Sequence, residues 1–214
     1  MHEPTELPMF PLSTVVFPFA QLPLHVFELR YQQLVVDVME GDRTFGIVLI
    51  DRGPEVGGGE HRVDIGTRVE VEHLAPIGEG RSLLVARATE RIKVVQWLDD
   101  APYPRALVVD HPQHDVALDE AQLHGALSAV RRSRALLSEV HDAPALCGGL
   151  DLGDDHLDAA WMLCALAPIG MFDAQSLLEI DDPRGRLELL TVLSDAVAET
   201  ALQLLASGQE PTLS

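Results

Sequence analysis

Residues 7–35 read LPMFPLSTVVFPFAQLPLHVFELRYQQLV, and the pattern changes partway along this stretch. Its first part is apolar and rich in β-branched and aromatic residues, a composition typical of strands. Four prolines interrupt it: Pro8, Pro11, Pro18 and Pro23. Because proline cannot donate a hydrogen bond to a β-ladder, residues 7–12 and 14–27 are predicted to form strands that are short, bent or at a sheet edge.

A helix is predicted to follow these strands, from Glu28 to Glu40. Apolar residues recur there near helical spacing: Leu29, Leu34, Val35 and Val38. Gly41 and Asp42 supply the stop signal.

The rest of the N-terminal half is predicted to be mainly β. Further strands are expected at 44–51, 67–74, 82–88, 91–97 and 105–110, where apolar residues alternate or run together. Residues 52–62 contain Gly53-Pro54 and Gly57-Gly58-Gly59, which predict a mobile hairpin tip. Many short strands at close spacing indicate a barrel or a sandwich.

After His111-Pro112 the pattern becomes helical. A helix is predicted over 118–140, with one apolar stripe: Leu123, Leu127, Val130, Leu137 and Val140. Asp154 or Asp155 is expected to cap a second helix ending near Ala167, and a short helix should cover Gln175–Glu179. Asp182-Pro183 predicts the start of a long last helix, whose apolar residues are Leu187, Leu190, Val197 and Leu204. The chain is therefore predicted to be an α+β protein with a β-rich subdomain over 1–114 and an α-helical subdomain over 115–214.

The net charge is strongly negative, at −19. Such a field repels phosphate backbones and anionic lipid, because nucleic-acid affinity depends largely on Lys and Arg displacing counterions. We therefore expect neither nucleic acid nor membrane as a partner. Two explanations of the charge stay open, namely solubility and attraction for basic or unfolded polypeptides.

The cellular setting is inferred from features that are missing. The two cysteines, Cys147 and Cys164, do not make a disulfide framework. No signal-peptide pattern is found, and no apolar stretch is judged to approach the ~18 residues that span a bilayer. A cytoplasmic protein is expected. The single Lys93 beside 14 arginines suggests a GC-rich bacterial genome.

No catalytic or metal-binding pattern is found. A P-loop needs a glycine-rich turn that ends in Gly-Lys-Ser/Thr, but no glycine occurs in residues 86–94 around Lys93. The same lysine has no serine nearby with which to form a Ser-Lys dyad. His111, His114 and Asp115 lack the converging ligands that zinc needs. We predict no enzyme activity, no metal and no cofactor.

Three segments together resemble the substrate-binding (N-terminal) domain of Lon proteases. Residues 7–35 match that family's proline-punctuated strand pair and its helix headed by Phe-Glu-x-Arg-Tyr. Gly66-Thr67 and the segment 89–94, with Arg91 in the position of the family arginine, resemble two of its later strands. The segment 173–193 resembles its Gln-x-x-Leu-Glu helix and the Arg-Leu that follows. One departure is Ala88, which stands where the family has glycine.

The resemblance implies a PUA-like β pseudo-barrel followed by a helical bundle. In Lon this region captures damaged or unfolded substrates and helps to assemble the oligomer, so it implies a non-catalytic polypeptide-binding module that can form homo-oligomers. The signature residues Phe27, Glu28, Arg30, Tyr31 and Arg91 are interpreted as structural, with some pairing to fix the helix against the barrel. A peptide-contact surface is the other interpretation.

A second function stays open, because the same fold serves other families as a small-molecule or, less readily, an RNA sensor. The two hypotheses predict different surfaces. A polypeptide binder should expose an apolar patch of a few hundred Å² or more. A metabolite sensor should enclose a pocket of roughly 300–1,000 Å³ with converging polar groups. The negative charge would favour basic, apolar segments among polypeptide partners.

Overall fold

The computed structural model describes residues 3–51, 61–78, 80–141 and 155–207. Most of the glycine-rich stretch predicted at 52–62 lies outside these residues, as do Cys147 and Asp154. The chain divides into two compact units, Met1–Pro112 and Gln113–Ser214. The first unit holds all the described strands and one helix, and the second holds four helices.

The first unit is a β-barrel with one added strand. Its elements are β1 (Thr5–Leu12), β2 (Gln21–Val26), α1 (Leu29–Glu40), β3 (Thr44–Asp51), β4 (His61–Gly78), β5 (Arg81–Trp97) and β6 (Arg105–Asp110). β1 pairs with β3 in parallel and with β6 antiparallel, while β3, β4, β5 and β6 pair in succession. These pairings close a ring of five strands. β2 pairs with the first part of β5 and with no other described strand.

The prediction of strands over 14–27 is only partly right. β2 covers 21–26, whereas residues 13–20 form an irregular segment in which Val16 and Phe17 are buried. Pro18 cannot join a ladder, and Phe19 has a positive φ of 67° that ends regular strand geometry. The hydroxyl of Thr67 donates a hydrogen bond to the carbonyl oxygen of Val16 at 2.6 Å and ties this segment to the barrel.

The two strands predicted at 82–88 and 91–97 are one continuous strand, β5. Its first part pairs with β2 and its last part with β6, while β4 lies along its other edge. Thr89 and Glu90, which join the two predicted strands, lie at a register shift beside Arg68 of β4, and the Thr89 hydroxyl donates to the carbonyl oxygen of Arg68 at 3.2 Å.

Glycine is required at Gly66 by the close approach of a neighbouring strand. A Cβ at this position would lie 2.1 Å from the carbonyl oxygen of Ile47 on β3. Ala88, by contrast, stands where the resemblance leads one to expect glycine, yet its φ is not positive. Its side chain is fully buried, so alanine fits this position without backbone strain.

The second unit contains α2 (Glu120–Val140), α3 (His156–Leu166), α4 (Met171–Glu179) and α5 (Pro183–Ser207). Asp155 caps α3 by accepting hydrogen bonds from the amides of Leu157 and Asp158, as predicted. α4 begins four residues before the predicted helix over 175–179. The buried Arg186 guanidinium lies 3.3 Å from the ring centroid of Trp161 and donates to the carbonyl oxygen of Ile180.

Small residues occupy the deepest positions of α2 and α5, which contact each other along much of their length. They are Ala126, Ala129 and Ser133 on α2, and Ser194, Ala198 and Ala201 on α5. Of the predicted α2 stripe only Val130 is buried, and Val197 and Leu204 on α5 are only half-buried. Leu187 and Leu190 on α5 are buried as predicted, whereas the half-buried members of the two stripes lie beside the buried small side chains.

α5 also overturns the expectation that no apolar stretch approaches bilayer length. It is 25 residues long, has an 18-residue window of mean hydropathy 1.4, and is long and apolar enough to cross a membrane by length and composition. The core helix of a helical protein meets the same two criteria. Asp195 on this helix forms an ion pair with Arg132 of α2.

Candidate functional site: an apolar groove beside the first helix

The face of α1 turned away from the barrel core carries two exposed apolar side chains. Leu29 is 81% exposed and Val36 is 49% exposed, whereas Tyr31, Leu34, Val35 and Val38 are buried. At 3.6 residues per turn, Leu29 and Val36 are separated by only about 20° around the helix, and Leu29 and Leu34 by about 140°. Of the four apolar residues that predicted this helix, Leu29 therefore lies off the buried face. α1 has a second apolar face, and it is open to solvent.

This second face forms one wall of a groove of about 680 Å³. The opposite wall is the end of the β4–β5 hairpin, where Leu74, Pro76, Arg81 and Ser82 line it. Gly78 and Gly80 turn the chain there with φ values of 93° and 72°, which L-residues rarely adopt. The two glycines carry no side chain that could narrow the groove.

The helix wall is held in place by Tyr103, whose neighbour Pro102 also lines the groove. The Tyr103 hydroxyl donates to Asp37 on α1 at 2.7 Å. Burial, and then this hydrogen bond, raise the pKa of Tyr103 to about 12. The same hydrogen bond, with a second one from Gln33, lowers the pKa of Asp37.

A smaller cleft of about 330 Å³ lies at the N-terminal end of α1, adjoins the groove at Arg30, and is lined by four of the five signature residues. Tyr31 is buried and stacks on Phe10, with ring centroids 3.9 Å apart. Glu28 and Arg30 form an exposed ion pair at 3.0 Å, and the Arg30 guanidinium lies 4.7 Å from the Tyr31 ring centroid. Phe27 is 59% exposed.

These contacts distinguish the positions of the signature residues. The Tyr31 ring belongs to the barrel core and packs on Phe10. The Glu28–Arg30 pair joins neighbours on one segment. A further link between α1 and the rest of the first unit is the hydrogen bond from Tyr103 to Asp37.

The fifth signature residue, Arg91, lines neither the groove nor the cleft. It is 3% exposed and lies opposite Thr67 in the β4–β5 ladder. Two segments of the predicted signature, Gly66-Thr67 and 89–94, therefore meet in the barrel wall. Arg91 has a structural position, and a peptide-contact role does not fit its burial.

Sequence reasoning missed the groove itself, although one signal was present. Leu29 and Val36 are seven residues apart, with Gln32 and Gln33 between them, which is the spacing of one helical face. The opposite wall had no local signal, because residues 74–82 reach α1 only through folding. Within the described ranges, no group of three or more metal-ligating side chains is found. The geometry is suited to holding apolar side chains.

Comparisons with known proteins agree on one family. The family model of the ATP-dependent protease La (Lon) substrate-binding domain matches residues 6–195. A LON peptidase N-terminal domain and RING finger protein of Schizosaccharomyces pombe is 24% identical, over 87% of this chain and 44% of its own length. Lon protease 2 of Herpetosiphon aurantiacus is 27% identical, over 88% of this chain and 23% of its own. The chain thus spans less than half of each of these two relatives.

Solved structures show the same similarity in three dimensions. The crystal structure of a Lon N-terminal domain protein from Xanthomonas campestris has a TM-score of 0.66 and 30% sequence identity, and the match covers 88% of this chain and 98% of that one. The N-terminal domain of a Mycobacterium avium complex Lon protease has a TM-score of 0.59 at 13% identity, which bears on the fold alone.

Proposed function

The chain belongs to the Lon substrate-binding domain family, and from this premise we propose that it captures unfolded or partner polypeptides without catalysing a reaction. The proposed binding surface is the groove between α1 and the β4–β5 hairpin, called the α1 groove below. Capture there would be reversible, and any processing of the bound chain would be done by another protein.

One observation carries the proposal, namely the exposed apolar face of α1. Leu29 and Val36 lie two turns apart on one face of α1, and Leu74 and Pro76 line the opposite wall. Exposing a leucine in water costs free energy, and its burial on binding returns roughly 25 cal/mol per Å² of apolar area. A helix that already buries one apolar face in the barrel has no folding need for a second.

The shape of the groove favours a polypeptide over a small metabolite. A metabolite site typically encloses its ligand and directs several polar groups toward it. The α1 groove is open to solvent, and Gln32 and Gln33 on its rim already bond to Phe27 and Asp37. An open, mainly apolar groove suits a chain that enters and leaves laterally.

The proposal is tested by measuring binding of an unfolded protein to matched variants. We expect Leu29→Ser and Val36→Ser each to weaken binding of labelled, reduced and carboxymethylated α-lactalbumin by about fivefold, as judged by fluorescence anisotropy. Val95→Ser is the matched control, because Val95 is as exposed as Val36, at 49%, and lies outside the groove. Binding of a labelled single-stranded RNA is measured in the same way, as the ligand that the alternative hypothesis predicts.

Two results would contradict the proposal. One is equal loss of binding in Val95→Ser and Val36→Ser, which would assign binding to general surface apolarity. The other is RNA binding as tight as lactalbumin binding, which would favour the sensor hypothesis. The absence of catalysis is checked in the same preparation, where ATP hydrolysis and casein cleavage should not exceed a buffer blank.

A further inference from the structure

β2 has one edge that no described strand covers. All six of its residues pair with β5, from Gln21 opposite Arg87 to Val26 opposite Ser82. Residues of β2 and of β1 line the same 330 Å³ cleft, and the partners of β1 are β3 and β6. An uncovered strand edge presents a row of peptide N–H and C=O groups that can pair with another chain.

The pairing register shows which backbone groups point to the open side. The amide of Ala88 donates to the carbonyl oxygen of Ala20 at 2.9 Å, which marks a hydrogen-bonded position one residue before the Gln21–Arg87 pair. Since hydrogen-bonded positions alternate in an antiparallel ladder, residues 22, 24 and 26 face β5, and 21, 23 and 25 face outward. Pro23 agrees with this assignment, because a residue without an N–H is tolerated where no ladder donor is needed.

The open edge therefore has a defined set of polar groups. Gln21 and His25 each present an N–H and a C=O, and Pro23 presents a C=O. No backbone partner for these groups is found among the described residues outside β5. Of these residues His25 lines the 330 Å³ cleft, whose other lining includes residues 10–13 at the end of β1 and the turn after it.

From this arrangement we propose that β2 binds its polypeptide by strand addition, with an extended segment of the captured chain lying in the cleft between β2 and β1. The inference rests on the proposed polypeptide capture and adds a second contact for the captured chain, in a cleft that adjoins the α1 groove at Arg30. An extended main chain is the occupant because it alone repeats donors and acceptors at the spacing of the β2 edge. Its inward side chains would contact the Phe10 and Tyr31 rings at the base of the cleft.

Backbone substitution in the protein tests the proposal. His25→Pro removes the N–H that faces the cleft, and His25→Ala is the reference that loses the same imidazole and keeps the N–H. We expect His25→Pro to bind a labelled octapeptide of alternating apolar and polar residues about fivefold more weakly than His25→Ala, the effect of one hydrogen bond. Equal affinities in two variants of equal melting temperature would overturn strand addition.

Backbone substitution in the peptide gives a second test that does not depend on folding of a variant. Single N-methyl groups along the octapeptide should weaken binding at alternate positions, because only every second amide faces β2. A profile without this period would overturn the proposal even where the peptide binds. If unfolded lactalbumin binds but the octapeptide does not, strand addition fails and capture at the α1 groove stands. If neither binds, the proposed function itself fails.

Discussion

At the scale of single residues, burial distinguishes Arg91 from Glu28 and Arg30, although all three are charged members of the same signature. Arg91 is 3% exposed in the barrel wall, whereas the side chains of Glu28 and Arg30 are 45% and 39% exposed. A buried charge needs a partner, and truncating it leaves that partner uncompensated. An exposed pair is screened by water and contributes little. The sequence pattern showed charged residues beside apolar ones and contained no measure of this difference.

We predict that Arg91→Ala lowers the free energy of unfolding by about 3–5 kcal/mol. Glu28→Ala should lower it by less than about 1 kcal/mol, because its ion pair is exposed. Urea denaturation followed by circular dichroism measures both values. Two variants with the same loss of stability would show that burial does not separate these charges.

The Tyr103–Asp37 hydrogen bond predicts a pH-dependent contribution to stability. The pKa of Tyr103 is raised to about 12 in the folded protein, against about 10 in the unfolded chain. The contribution of protonated Tyr103 to the free energy of unfolding is therefore complete below about pH 10 and is lost as pH rises through 12. The pKa of Asp37 is lowered, so its contribution is complete above the unfolded pKa of about 4 and is lost as pH falls below it. Tyr103→Phe should therefore be less stable than the parent near neutral pH. The difference in free energy of unfolding between Tyr103→Phe and the parent should shrink at both extremes of pH. A difference that stays constant from pH 3 to pH 12 would contradict this account.

At the scale of elements, the contact between α2 and α5 depends on small side chains. Ala129 is buried on α2, and Ser194, Ala198 and Ala201 are buried on α5. Small residues let two helix backbones approach closely, so there is no room for a larger side chain at these positions. Periodicity analysis gives weight to leucine and valine, and it therefore identified Val130, Leu187 and Leu190 but missed the buried alanines and serines.

Ala198→Leu is predicted to destabilise the helical unit by about 1–3 kcal/mol through overpacking. Ala196→Leu is the control, because Ala196 is exposed on the same helix and the substitution adds the same atoms. Thermal unfolding of the full chain compares the two variants. If Ala198→Leu is as stable as Ala196→Leu, the helices do not meet at this position.

At the scale of the whole molecule, the net charge of the chain is opposite in sign to the charged side chains that line the α1 groove. The chain carries −19, yet the charged residues among those described in the α1 groove are Arg30 and Arg81. A long-range field acts on the rate of encounter, whereas contacts within a groove act on dissociation. The whole-chain charge is therefore expected to control how quickly a polypeptide arrives more than how long it stays.

We predict that a basic, apolar peptide associates faster than an acidic one of the same apolar sequence at low salt. Raising NaCl from 50 to 500 mM shortens the Debye length from about 14 to about 4 Å, so the two association rates should converge. Dissociation rates, which reflect apolar contacts, should change little. Stopped-flow fluorescence measures both rates, and a rate difference that persists at 500 mM would argue against long-range steering.

Local patterns determined much of this protein before folding is considered. Helical spacing and a glycine stop located α1 within one residue, strands β3 and β6 lie at their predicted bounds, and Asp155 and Pro183 begin helices as expected. The match over residues 6–195 confirms the family resemblance drawn from residues 7–35 and the later segments. Each of these features depends on interactions within a few neighbouring residues, which a sequence displays directly.

Tertiary structure alone decided the continuity of β5, the depth of Ala198, the meeting of Arg91 with Thr67, and the α1 groove. Each of these depends on a partner distant along the chain. β5 runs through Thr89 because β4 lies beside it, and Leu29 lines a groove because residues 74–82 fold back across from it. Burial and strand register are properties of pairs of segments. The residues of one segment do not specify which distant segment will pack or pair with it.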